Sequence, residues 1–315
     1  MRHLKRLVTL GLLGAIAYLI ATREGMDTIH AHLADLRFEW MLVAALFAIL
    51  AVSASVRRWQ LLLSHEGIAL PFATLFASFL RGRFVGAFTP STTGLDLYRL
   101  VDIGRRATNK AASGRAVLTE KLYGLVALAL VTAALLPAGI ARFFGSLGVL
   151  AAIGIGVVAI LGLAALARPA FLRRVCARLP KALRQRAHRM VDLLTSRAMT
   201  KERTARVIAF GLLSHSATAA IFVATGVALG LEVSPLALLV VGNAIILATL
   251  LPISVGGVGV RETTAVVLLS TVGVGTTEAA LVGLLGYLAM QPPALVGGLL
   301  LLRGAPSLAE PHPAT

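Results

Sequence analysis

The chain is poor in cysteine, in charge and in acids. Cys176 is the only cysteine in 315 residues, so there is no disulfide framework and no cysteine-based metal site. Only 14% of the residues are charged, which excludes an ordinary soluble domain. There is no Walker motif, no HExxH, no GxSxG and no Cys/His cluster. Nothing therefore supports an ATPase, a metalloprotease or a serine hydrolase, and nothing asks for a cofactor or a metal. The apolar runs are continuous rather than alternating, which excludes a spanning β-barrel. Acids number 14 against 30 Lys and Arg, for a net charge of +16. Such an excess can mark a nucleic-acid binder. Here the basic residues flank apolar runs, as the positive-inside rule requires, and no nucleic-acid partner is expected.

What is present is apolar length. The chain is 57% hydrophobic, and its apolar stretches approach the roughly 20 residues that a membrane crossing needs. The expected fold is an all-α polytopic membrane protein with about seven or eight spanning helices. Spans are predicted at about 6–22, 38–56, 116–137, 147–167, 207–229, 235–251 and 278–302. The stretch Leu7–Thr22 follows Met-Arg-His-Leu-Lys-Arg and also has the shape of a signal peptide. An uncleaved first span is the preferred reading, because another membrane helix follows. Arg23 to Glu39 reads as a mixed-charge connector, and Arg57-Arg58-Trp59 as a basic anchor beside an interfacial tryptophan.

The whole reads as one transmembrane domain over 1–303. It divides into a first half of about 5–167, a basic loop 168–206 and a second half 207–303. A Pro/Ala-rich, disordered tail over 304–315 follows. The loop holds twelve Lys/Arg against Asp192 and Glu202. In it Leu172, Val175, Leu179, Leu183, Ala187, Met190 and Leu194 share one helical face. That suits a helix lying on an anionic leaflet, and a plain cytoplasmic anchor is an equally sufficient account.

The Lys/Arg bias places Arg2, Lys5 and Arg6, then Arg57 and Arg58, then Arg105, Arg106, Lys110 and Arg115, and the loop 168–206 in the cytoplasm. The N-terminus is then cytoplasmic. This parity holds only if region 71–98 enters and returns on one side, as a re-entrant hairpin. The bias does not fix the side of the C-terminus.

Two broken, polar patches interrupt the spans. The second, Leu251-Pro-Ile-Ser-Val-Gly-Gly-Val-Gly-Val260, ends on Arg261-Glu262. Pro252, Gly256, Gly257 and Gly259 cannot sustain a regular helix. Charges at membrane depth cost roughly 2.5–3.5 kcal/mol each, and broken backbone survives there only under protein or beside water. The first patch reads Pro90-x3-Gly94-x-Asp96 with Arg99 three residues on, and Glu120-Lys121 opens the next span. Paired Gly/Pro interruptions in two halves of a transporter point to its central site and to an inverted repeat. A helix restarting after a break aims unpaired N–H groups at the gap, an end that attracts phosphate. Arginine adds a planar fork matched to phosphate oxygens. Asp96, Glu120 and Glu262 can pair with Arg99, Arg261 or Lys121 when no ligand is present.

Blander readings apply to single residues. Glu120 can be a helix-start acid held by the dipole. Arg81 and Arg83 can snorkel to the interface, with contact to a lipid phosphate as the alternative. His215 and Asn243 read as interhelical hydrogen-bonding groups, and Gly154, Gly156, Gly283, Gly286, Gly297 and Gly298 as close packing contacts.

At Leu251–Glu262, and more loosely at Pro90, Gly94, Asp96, Arg99 and Glu120-Lys121, the chain resembles a known family. This is the flippase-like integral membrane family typified by the transmembrane part of lysylphosphatidylglycerol synthases. The resemblance covers about 5–303. Two departures stand out: Val85–Thr89 holds no Asn before the first proline, and Asp96 stands where Glu is usual. With no soluble domain expected after residue 303, the resemblance implies lipid translocation rather than aminoacyl transfer. The expectation is a non-enzymatic lipid translocase for an anionic or zwitterionic phospholipid or a polyprenyl or glycolipid head group. Pro90, Gly94, Asp96, Arg99, Glu120, Pro252, Gly256, Gly257, Gly259, Arg261 and Glu262 would line its groove. With no nucleotide motif, a gradient or downstream consumption would drive it. The alternatives are a non-transporting subunit that supports a lipid- or glycan-modifying enzyme, and a membrane-embedded transferase using the carboxylates.

Overall fold

The computed structural model describes residues 23–89, 93–107, 109–139, 199–250 and 256–303, with isolated positions between them. No β-strand occurs among the described residues. The chain runs through α1 (Arg23–Ala34), α2 (Phe38–His65), α3 (Phe72–Ala87), α4 (Thr93–Arg106) and α5 (Lys110–Gly139). It continues through α6 (Lys201–Ala228), α7 (Pro235–Leu250), α8 (Val260–Leu269), α9 (Thr276–Ala289) and α10 (Pro292–Leu302). Four segments among these are long and apolar enough to cross a membrane: α2, α5, α6 and the stretch Thr276–Leu302. The protein is a multi-pass helical membrane protein. The spans expected at 6–22 and 147–167, the surface helix over 172–194 and the tail 304–315 lie outside the described residues, apart from single positions.

Helix α6 lies antiparallel along α2. The register is set by Arg37 N–H donating to the Ala228 carbonyl at 3.0 Å, by Ser55 and Ser214 hydroxyls 2.7 Å apart, and by Arg203 against His65 at 3.0 Å. Small residues permit this approach, and hydrogen bonds between helices hold it where lipid supplies no hydrophobic drive. The expected interhelical groups behave accordingly. His215 Nε2 lies 3.0 Å from the Gly124 carbonyl of α5, and Asn243 donates to Thr132 Oγ1 at 2.9 Å. Gly283 receives the backbone of Glu262, Gly286 the ring of Phe222, Gly297 the Leu80 carbonyl and Gly298 the ring of Phe84. All four are packing contacts.

Helices α3 and α4 form an antiparallel hairpin. Leu95 fills the groove left by Gly82 and Gly86. Sixteen residues in α3 and 14 in α4 reach only about 24 and 21 Å at 1.5 Å per residue, short of a bilayer core of roughly 30 Å.

Four expectations need correction or refinement. The second span does not stop at an interfacial anchor: α2 continues to His65, and Arg58 and Trp59 are buried. The connector after residue 22 is itself helical over Arg23–Ala34. Of the segment expected to span at 235–251, the described part is the 16-residue α7, shorter than a full crossing, and residue 251 lies outside the described residues. The last span is present as expected over Thr276–Leu302, but as two helices rather than one. It breaks at Met290-Gln291, because Pro292 and Pro293 start α10 and proline supplies no N–H to the preceding turn.

Candidate functional site

The α3–α4 hairpin carries two clusters of buried charge. The first lies between α2, α4 and α5. Glu120 sits well inside α5, ten residues beyond Lys110, so the helix-start reading fails. Its carboxylate accepts from Arg58 Nε at 3.0 Å and also from Arg58 Nη2, while Arg99 Nη2 donates to its other oxygen at 3.1 Å. The same Arg99 nitrogen reaches Asp96 Oδ1 at 2.6 Å, and Lys121 Nζ closes on Asp96 Oδ2 at 2.8 Å. Three cations therefore share two carboxylates.

Burial makes this network costly unless it is satisfied. Arg99 is 2% exposed and Glu120 4%. The Arg99 guanidinium lies between aromatic faces, with Cζ 4.9 Å from the Trp59 ring and 5.1 Å from the Phe79 ring, an arrangement that stabilises a desolvated cation. Arg58 fits because Gly124 and Gly211 leave a slot. A Cβ at either would stand 3.2 or 3.1 Å from its guanidinium nitrogens.

The second cluster lies where the two broken patches meet. Gly256, Gly257 and Gly259 have φ of 62°, 76° and 83°, a left-handed path that disfavours any side chain. The turn brings Gly256 N–H to the Thr89 carbonyl, 3.4 Å away at the end of α3. It also lays the Arg261 guanidinium flat on Gly257, where a Cβ would stand 3.0 Å from Cζ. On its other side Arg261 faces the Tyr287 ring at 4.7 Å. Glu262, 3% exposed, accepts from Gly259 N–H at 2.8 Å, which satisfies one of the free donors at the start of α8.

Arg83 joins this cluster from α3. It does not snorkel: Nη2 donates to the Met290 carbonyl at 3.0 Å, and its charge repels that of Arg261. Arg81 is buried as well and hydrogen-bonds to Tyr98.

The expected site residues thus divide. Asp96, Arg99 and Glu120 come together, as do Gly256, Gly257, Gly259, Arg261 and Glu262. No ion pair joins the two groups among the described residues. The link is the hairpin itself, since Phe79 under Arg99 and Arg83 beside Arg261 are four residues apart on one face of α3. Gly94 packs rather than opens space. Its N–H donates to Thr89 Oγ1 at 3.0 Å, and a Cβ would strike that side chain. Pro90 and Pro252 lie outside the described residues.

Arg58, Trp59 and Tyr287 were not singled out by their sequence context as site groups, whereas Arg83 was read there as either a snorkelling side chain or a contact to lipid phosphate. Arg58 was nevertheless accessible to helical phase, lying seven and four residues after buried Ala51 and Ala54 and four before Leu62. The sequence model of a family described as the lysylphosphatidylglycerol synthase TM region matches residues 6–297. None of the curated proteins compared matches the chain.

Proposed function

This chain belongs to the family of lysylphosphatidylglycerol synthase TM regions, and on that footing we propose that it is a lipid translocase of the bacterial inner membrane. Membership fits a role in membrane lipid handling. The finer reading is that a polar head group crosses through the place where the two broken segments meet, while the lipid tail stays in the bilayer. Moving the head alone along a lined path removes most of the penalty of carrying polar groups through hydrocarbon. No covalent bond is made or broken.

The supporting observation is the junction of Thr89 with Gly256, beside an arginine pressed against glycine backbone. Left-handed glycines let a ligand approach the main chain, and the start of α8 favours an anion. Arg261 holds the head group in this reading, and Glu262 competes for the same guanidinium to release it. Asp96, Arg99 and Glu120 hold the hairpin that forms one wall.

The test is lipid scrambling in liposomes. Purified protein alone is expected to move a fluorescent phospholipid between leaflets. Arg261→Ala and Glu262→Ala are each expected to cut the rate at least about tenfold, the loss of one charge-assisted contact, without loss of folding. Unchanged scrambling in both variants, or stoichiometric co-purification with an enzyme and no scrambling, would overturn the reading in favour of a supporting subunit. A covalently altered lipid would favour a transferase.

A further inference from the structure

Both clusters carry one excess positive charge, but every cation of the first makes an ion pair, whereas neither arginine of the second does so among the described residues. Arg83 and Arg261 come from different helices, α3 and α8, and meet at the last turn of α9: one on the Met290 carbonyl, the other over the Tyr287 ring. Glu262 is the carboxylate acting on Arg261, and it is already engaged with Gly259 N–H. Two buried donors, Arg83 Nε and Arg261 Nη1, have no acceptor among the described residues; Arg58 Nη1, Arg99 Nε and Arg99 Nη1 have none either, but their guanidinium groups already meet carboxylates. A buried donor without an acceptor is costly, and two like charges in low dielectric repel strongly. A chain tolerates this arrangement where something else supplies the missing oxygens and charge.

We propose that Arg83 and Arg261 together form a binding site for a phosphodiester monoanion, supplied by a phospholipid head group. Two guanidinium groups and Glu262 leave one net positive charge, which a phosphodiester cancels. Its two unesterified oxygens diverge from phosphorus, so each can meet a fork from a different helix, a geometry arginine suits and lysine does not. A phosphate monoester or inorganic phosphate carries about −1.5 to −2 at neutral pH and overshoots the balance. Arg99, whose charge is engaged by Asp96 and Glu120, is a fastener for the hairpin and not a ligand. This assignment rests on the translocase reading for its lipid, and it names the chemical group recognised.

The test is native mass spectrometry of the full chain released from detergent, with dioleoyl phosphatidylglycerol and dioleoylglycerol supplied together. The wild-type protein is expected to retain the phospholipid at least about tenfold over the neutral lipid, as for a charge-assisted contact. Arg83→Gln is expected to remove most of that preference, Arg83→Lys to restore it in part, and exposed Arg57→Gln to leave it unchanged. Inorganic phosphate at equal concentration should not displace the lipid. If it does, the source is the free ion and the lipid assignment is overturned.

Equal retention of both lipids by the wild-type protein overturns the inference even if Arg83→Gln proves unstable. The two ideas fail separately. Scrambling that ignores the phosphate would sink the site and spare translocation. Phosphate-selective retention by a protein that scrambles nothing would do the opposite.

Discussion

Glu120 is the residue on which the first cluster depends. Among the described residues it alone ion-pairs with both buried guanidinium groups, from α2 and from α4. Removing one member of a buried ion pair strands the other, at a cost of about 3–5 kcal/mol. Glu120→Gln is therefore expected to destabilise the protein by about that amount, read as a lower thermal midpoint in detergent. The double variant Arg58→Met/Glu120→Gln should lose less than the sum of the two single changes, because the stranded charge goes as well. Strict additivity would show that the contact carries no coupling. Asp96, Arg99 and Glu120 were legible in the sequence as acids and bases able to pair with one another, although Glu120 also read as a helix-start acid. Arg58 was not, because adjacent arginines after an apolar run look like the end of a span. Only its helical phase with Ala51, Ala54 and Leu62 marks it as buried.

At the scale of elements, the breaks between helices carry the account, and they differ in how openly the sequence declares them. Three glycines within four residues announced the turn before α8, since few other sequences can take three left-handed steps so close together. The break at Pro292 went unread because the flanking residues are apolar enough to pass as a single span. Helix α3 was legible as one arm of the hairpin expected over 71–98 but not as the carrier of both clusters, because that follows from which partners pack on it.

The turn before α8 can be tested against another of the same backbone shape. Gly257 and Gly273 have φ of 76° and 86°, but a Cβ at Gly257 would press on Arg261 whereas at Gly273 nothing lies within 4 Å. Alanine at either is expected to cost about 1–2 kcal/mol of stability through the left-handed backbone. Only Gly257→Ala should also slow lipid scrambling, since it alone displaces the guanidinium. Equal effects on scrambling would mean that backbone strain, not the position of Arg261, governs activity.

Across the whole molecule, long helices enclose two helix–break–helix units, α3–α4 and α7–α8, whose breaks touch at Thr89 and Gly256. Composition alone indicated the membrane and the all-helical class, because no soluble chain carries so much apolar length with so few charges. The likeness between the two patches was legible as a shared Pro/Gly plan. Their contact was not, since residues 89 and 256 are brought together by packing that no local pattern encodes. The central claim is that this contact is a berth for a lipid head group. It is tested most directly by single-particle structure determination in nanodiscs containing phosphatidylglycerol. The account predicts head-group density against Arg261, between the end of α3 and the turn at Gly256–Gly259. A junction closed by protein side chains, with ordered lipid only on the outer faces of the long helices, would contradict it.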